Sequence, residues 1–138
     1  MVKSDKEGLE ITELPESYQR YIDIIYDISK KKKGGWVQNK EIADNLGVEP
    51  ASVSGMLEKL KNNNLIRWEP RKAIRLTEKG KQYAIQLDEI HSLLRIFFKD
   101  VLQIKDSRVI ESVTHEIEHY ITQKVKESLE RFLSKYLD

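Results

Sequence analysis

A mainly α fold, in which an N-terminal winged helix-turn-helix precedes an all-helical region, is predicted by three features of this 138-residue chain. Two short helical periods separated by a glycine lie between Asn39 and Asn62, and two β-like runs flanking a basic turn follow at residues 65–76. From Thr77 onward apolar residues recur at helical spacing almost to the end, in a chain with only three prolines and six glycines.

Residues 1–12 are expected to form a loosely ordered arm. Pro15 then starts a helix whose apolar face, Tyr18, Ile22, Ile25, Tyr26 and Ile28, would cover the back of the unit that follows. The run Lys30-Lys31-Lys32-Lys33-Gly34-Gly35 reads as a solvated helix end entering a loop, where positive charge meets the negative end of the helix dipole. Asn39 is the expected cap of the next helix, Ile42, Ala43 and Leu46 its apolar face, and Gly47 its left-handed stop. Glu49-Pro50 opens the second helix, because a proline at the first position gives up an N–H that has no intrahelical partner. Val53, Met56, Leu57 and Leu60 form its buried stripe, ended by Asn62-Asn63-Asn64. The opposite face offers Ala51, Ser52, Ser54 and Gly55, small enough to let a backbone approach base edges.

The β-like runs 65–68 and 73–76, joined through Glu69-Pro70-Arg71-Lys72, predict a wing with a cationic tip. Between Lys59 and Lys81 eight basic side chains face two acidic ones, a local excess hidden by a whole-chain formal charge of +1. Phosphate contact requires local charge density rather than a basic protein, so duplex DNA is the expected ligand. The expected contacts are Lys40, Ala51, Ser52, Ser54 and Gly55, with Lys59, Arg71, Lys72 and Arg75 on phosphates. The competing reading is a solvated winged-helix surface used only for packing or protein contact.

Thr77 can cap a long helix carrying Ala84, Leu87, Ile90, Leu94, Phe97, Phe98 and Val101, a stripe too long for one small domain to cover. A further helical period begins near Asp106 with Val109, Ile110, Val113, Ile117, Tyr120 and Ile121, and Thr122 can restart it through Val125, Leu129, Phe132, Leu133 and Tyr136. The second half is therefore expected to build a homodimer. The division expected is an arm at 1–12, a DNA-binding domain at 13–78 and a helical dimerisation and metal-binding domain at 79–138.

With no cysteine, a transition metal could be held only by nitrogen and oxygen. His115, Glu118 and His119 stand at i, i+3 and i+4, which on a regular helix places them on one face. Glu111 lies one turn earlier, His91 sits on the long helix beside Leu87 and Leu94, and Asp23 follows Ile22 on the first helix. These six are the expected ligands of a divalent transition ion, Mn, Fe, Zn, Co or Ni; chance spacing of solvated groups is the alternative. The string His115-Glu116-Ile117-Glu118-His119 also satisfies H-E-x-x-H, with Glu116 as would-be general base. A protease would need a third ligand and a cleft, yet only 19 residues follow His119, so no enzyme is expected. No membrane-spanning stretch and no secretory signal is read, which predicts a cytoplasmic protein without a small organic substrate.

Taken together, these residues resemble the metal-dependent repressors of the diphtheria toxin repressor class, most closely the short manganese transport regulator subfamily. The resemblance rests on Tyr21-Ile22-Asp23-Ile24-Ile25-Tyr26, on Glu41-Ile42-Ala43 through Val53-Ser54, on Leu76-Thr77-Glu78-Lys79-Gly80, and on His91 with Glu118-His119. It covers about residues 15–138. It implies a homodimeric repressor of a palindromic operator with a metal co-repressor, lacking the C-terminal β-barrel domain of larger members. The implied ligands are Asp23, His91, His115, Glu118 and His119, with His115 standing where relatives have a carboxylate or thiol. Arg20 stands where relatives have an Asp or Met ligand, and a guanidinium cannot ligate a cation. Three readings follow: fewer ligands, a guanidinium replacing a metal charge, or Glu16 swinging in. A metal-independent regulator, with Arg20 and the histidines in a charge network, is the runner-up.

Overall fold

Helix α1 (Glu16–Lys30) starts one residue after Pro15 and buries Ile22 and Ile25, with Tyr18, Tyr26 and Ile28 half-buried, so the expected stripe is the one used. The chain then crosses Gly34 and Gly35, both at positive φ, and reaches Val37. Helix α2 (Asn39–Leu46) begins with Asn39 as its first residue rather than its cap; the preceding Gln38 N–H is taken by the Glu41 carboxylate at 2.9 Å. Lys32 also holds Glu41, and with the Gln38 N–H it lowers the carboxyl's pKa. Gly47 ends α2 at φ 68°, the left-handed conformation expected of it. Helix α3 (Pro50–Asn62) buries Val53, Leu57 and Leu60.

Strands β1 (Ile66–Arg67) and β2 (Arg75–Leu76) pair antiparallel, Ile66 opposite Leu76 and Arg67 opposite Arg75, which is the expected wing. One feature of the sheet escapes sequence reading: Val37, far away in the chain, bridges Ile74 and adds a third row. Ile66, Ile74, Leu76 and Val37 are buried and fasten the wing to the helices. At its tip Arg71 takes φ 67°.

Helix α4 (Glu78–Ile96) is capped as expected: the Thr77 hydroxyl accepts from the Gly80 N–H at 3.1 Å and donates to the Asn64 carbonyl at 2.6 Å. That tight corner explains Gly80. A β-carbon there would lie 2.1 Å from the Leu65 carbonyl oxygen, a backbone atom that cannot yield. Gly80→Ala is expected to destabilise the protein by about 1–3 kcal/mol through overpacking, read as a lower urea midpoint at unchanged m; an unchanged midpoint would refute this corner.

Past Ile96 the backbone loosens into a π-helical stretch (Phe97–Val101), and Gln103 turns the chain at φ 58°. Helix α5 (Ser107–Ile117) is capped by Asp106, which accepts from the Arg108 N–H at 2.9 Å; a 3-10 turn (Glu118–Tyr120) follows it. Helix α6 (Gln123–Tyr136) is capped by the Thr122 hydroxyl on the Val125 N–H.

The structure, a computed structural model, describes residues 9–137. Two compact units are formed among these residues, one of Ser17–Ala84 and one joining 9–16 with 85–137. The expected boundary at 78/79 falls inside α4, whose first turn is tied to Leu65 by the Thr77 N–H, and the division between the compact units lies six residues later. The expected arm is also corrected over its described part, residues 9–12. Ile11 is fully buried, and its N–H donates to the Gln86 side chain at 2.9 Å. Gln86 also donates to the Leu9 carbonyl and to Gln123, whose own N–H is taken by Glu10 at 2.7 Å. A buried amide with three partners holds this segment because each group would otherwise be desolvated without compensation.

Candidate metal centre and nucleic-acid interface

His91 faces inward from α4 and touches two carboxylates. Its Nδ1 lies 2.6 Å from Glu118 Oε1, and its Nε2 lies 3.2 Å from Glu111 Oε2. Glu118 is 1% exposed, so its charge is nearly stripped of water and depends on that imidazole. His115, in the last turn of α5, brings its ring within 5.3 Å of the His91 ring at 62°. One ligand atom from each of His91, His115 and Glu118 lies within 4.8 Å of the others. The Glu118 hydrogen bond raises the His91 pKa above its ordinary 6.5, against an opposing effect of burial and with support from the charges of Glu118 and Glu111.

The six expected ligands are therefore sorted. His91, His115 and Glu118 converge, and Glu111 backs His91 while accepting from Arg95 Nε at 2.9 Å. His119 is buried in the 3-10 turn to which the helix tightens at Glu118 and is not among the three groups that converge. Asp23 is half-buried on α1, in the other unit. Arg95 was not foreseen, although it lies one helical turn after His91 and so shares its face. The same break in the helix separates the two histidines of H-E-x-x-H, and Glu116 is exposed.

On the other unit, Lys40, Ala51, Ser52, Gly55 and Lys59 are exposed along α2 and α3, as are the wing cations Arg71, Lys72 and Arg75. Ser54 differs from expectation. Its hydroxyl accepts from Asn39 Nδ2 at 2.9 Å and donates to the Pro50 carbonyl at 3.2 Å, so it braces α3 against α2 instead of standing free for a base. Gly55 sits mid-helix with nothing within 4 Å of where a β-carbon would be. Among the described residues nothing demands a glycine there, while an interior helical glycine costs about 0.5–1 kcal/mol relative to alanine. Gly55→Ala should raise the melting midpoint accordingly and weaken DNA binding, measured by anisotropy; tighter binding would show that the groove does not approach this backbone.

Residues 13–74 match the model of the iron dependent repressor N-terminal DNA binding domain, and residues 77–137 that of the iron dependent repressor metal binding and dimerisation domain. The HTH-type transcriptional regulator MntR of Oceanobacillus iheyensis is 32% identical over 106 residues, covering 77% of this chain and 69% of its own. An uncharacterised HTH-type transcriptional regulator of Methanocaldococcus jannaschii is 27% identical over 125 residues, covering 91% of this chain and 98% of its own. Among solved structures, the manganese regulator SloR superposes with a TM-score of 0.69 at 28% identity over 85% of this chain, which spans only 53% of the SloR chain. With both halves matched in order, this chain belongs to the iron-dependent repressor family, whose members are metal-responsive, DNA-binding transcriptional regulators rather than enzymes.

Proposed function

We propose that His91, His115 and Glu118 hold the divalent ion to which this regulator responds, and that α2, α3 and the wing hold its operator. The convergence of those three ligand atoms within 4.8 Å supports this reading above all else. Two imidazoles and a carboxylate fit Mn, Fe, Zn, Co or Ni, and the likeness to a manganese regulator favours manganese as the first ion to test. When bound, such an ion supplies the positive charge that Glu118 otherwise draws from His91. The remaining work belongs to the chain: His91 gives up its proton, Glu111 and Arg95 keep the imidazole oriented, and α4 runs unbroken from Gly80 to His91. Exposed Val109, Val113, Phe132 and Tyr136 form the face proposed for the second copy of a homodimer. No described helix is long and apolar enough to cross a membrane, and we place the protein in the cytoplasm with its DNA.

Duplex binding measured with each ion and with chelator tests the reading. A gain of about 5–150-fold with metal is expected; equal affinity under all ions would refute it. Protonation sets the pH dependence. The raised His91 pKa stabilises the ion-free fold fully below 6.5, and that contribution disappears as pH rises through the raised value. Ion binding needs neutral imidazole, so metal affinity should climb across the same window.

The second reading, a regulator without metal control, is favoured by one observation: Glu118, His91, Glu111 and Arg95 already form a closed charge chain. Asp23→Ala and His119→Ala, carried through the same metal titration, decide whether the ligand set extends beyond the cluster.

A further inference from the structure

Across the outer face of the wing sheet runs a row of three side chains. The Val37–Ile74 bridge sets Trp36 beside Arg75, and the strand register sets Arg75 directly opposite Arg67. Inward neighbours Val37, Ile74, Ile66 and Leu76 are buried, so period-two alternation turns this row outward, where both arginines are exposed and Trp36 is 44% exposed. Like charges directly opposite one another across two strands repel and destabilise the pair. Among the described residues neither arginine forms an ion pair, so no described carboxylate offsets that repulsion. The indole under Arg75, 5.1 Å from ring centroid to guanidinium carbon, orients the cation without neutralising it. A groove of about 530 Å³ beside the row is lined by Trp36, Lys61, Arg67, Trp68, Glu69 and Lys72; its one carboxylate is paired with Lys72 at 3.3 Å.

We infer that this outer face is a second phosphate-binding surface, which grips the duplex backbone beyond the wing tip with Arg67 and Arg75 while Trp36 positions Arg75. The inference rests on the DNA-docking reading above and extends it to Arg67 and Trp36. Continuity argues for the same duplex as occupant, because Lys72 belongs both to the wing tip and to the groove. An oriented pair of guanidinium groups with no ion-pair partner among the described residues suits phosphodiester oxygens, which accept from that fork without adding bulk.

The test is the salt dependence of binding to a mixed-sequence duplex by the full-length, metal-loaded protein, since backbone contacts do not depend on sequence. Arg67→Ala should flatten the log–log slope by about 0.9 for each protomer that contacts the duplex, the value of one phosphate contact, and so by about 1.8 for a dimer bound through both wings. Trp36→Ala should flatten it in part and Trp36→Phe restore it, while thermal melts show Arg67→Ala at least as stable as the parent. If Arg67→Ala and both Trp36 variants keep the parent slope while Arg71→Ala with Lys72→Ala lowers it, the face is solvated and only the tip touches DNA. If the tip variants also leave the slope unchanged, the docking reading fails and this inference with it. A change in oligomeric mass for Arg67→Ala, with its slope intact, would assign the row to protein contact and overturn the proposal.

Discussion

Alanine at His91 is expected to lower divalent-ion affinity by at least about 10–100-fold, the loss that follows even when only the hydrogen-bonding support of a ligand is disturbed. His91 is both a proposed donor and the group that holds Glu118, at 2.6 Å. The reciprocity of coupled binding then requires the metal-dependent gain in DNA affinity to fall by the same factor that DNA loses in its hold on the ion. Because Glu118 is 1% exposed, removing its imidazole also leaves a buried acceptor without that partner, at about 1–3 kcal/mol, so titrations belong well below the new melting midpoint. Glu111→Gln separates the two effects. It keeps the cluster of His91, His115 and Glu118 and a hydrogen-bonding side chain beside the imidazole, so ion affinity should fall by only about tenfold, the low end of the loss for a disturbed support. Calorimetry giving the parent Kd for His91→Ala would remove this cluster from consideration as the sensor.

The paired substitution Arg71→Ala with Lys72→Ala should flatten the salt dependence of duplex binding by about 1.8 in log–log slope for each protomer in contact, near 0.9 for each phosphate contact, and so by about 3.6 for a dimer bound through both wings. Stability should barely move. Arg71 at φ 67° keeps its β-carbon and its backbone strain as alanine, and the Lys72 pair with Glu69 joins side chains 72% and 67% exposed, where ion pairs contribute little. The loss should be equal for all sequences, whereas Ser52→Ala should change sequence preference, because Ser52 is exposed on the small-residue face of α3. An unchanged slope would place the wing tip away from the phosphates.

Much of the DNA-reading unit was legible because its signals are local. Pro50 at a first helical position, Gly47 at φ 68° and the Thr77 cap each act within a few residues. The ligand cluster was legible only in part. His115 and Glu118 were readable from their spacing, but that spacing assumes an unbroken helix, and His119, in the 3-10 turn after α5, is not among the three groups that converge. Ser54 was misplaced for a related reason: sequence assigns it to a helix face and cannot show that Asn39, fifteen positions earlier, reaches its hydroxyl.

The amino-acid order by itself determined the elements, the basic wing and the histidine-rich second half, because periodicity, capping and charge density are properties of neighbouring residues. Tertiary structure alone decided that Val37 joins the wing, that Ile11 is held by Gln86 from 75 positions away, and that His91 lies between Glu118 and Glu111. Those contacts join residues distant in the chain, and they form because buried polar groups must find partners wherever the packing of helices places them.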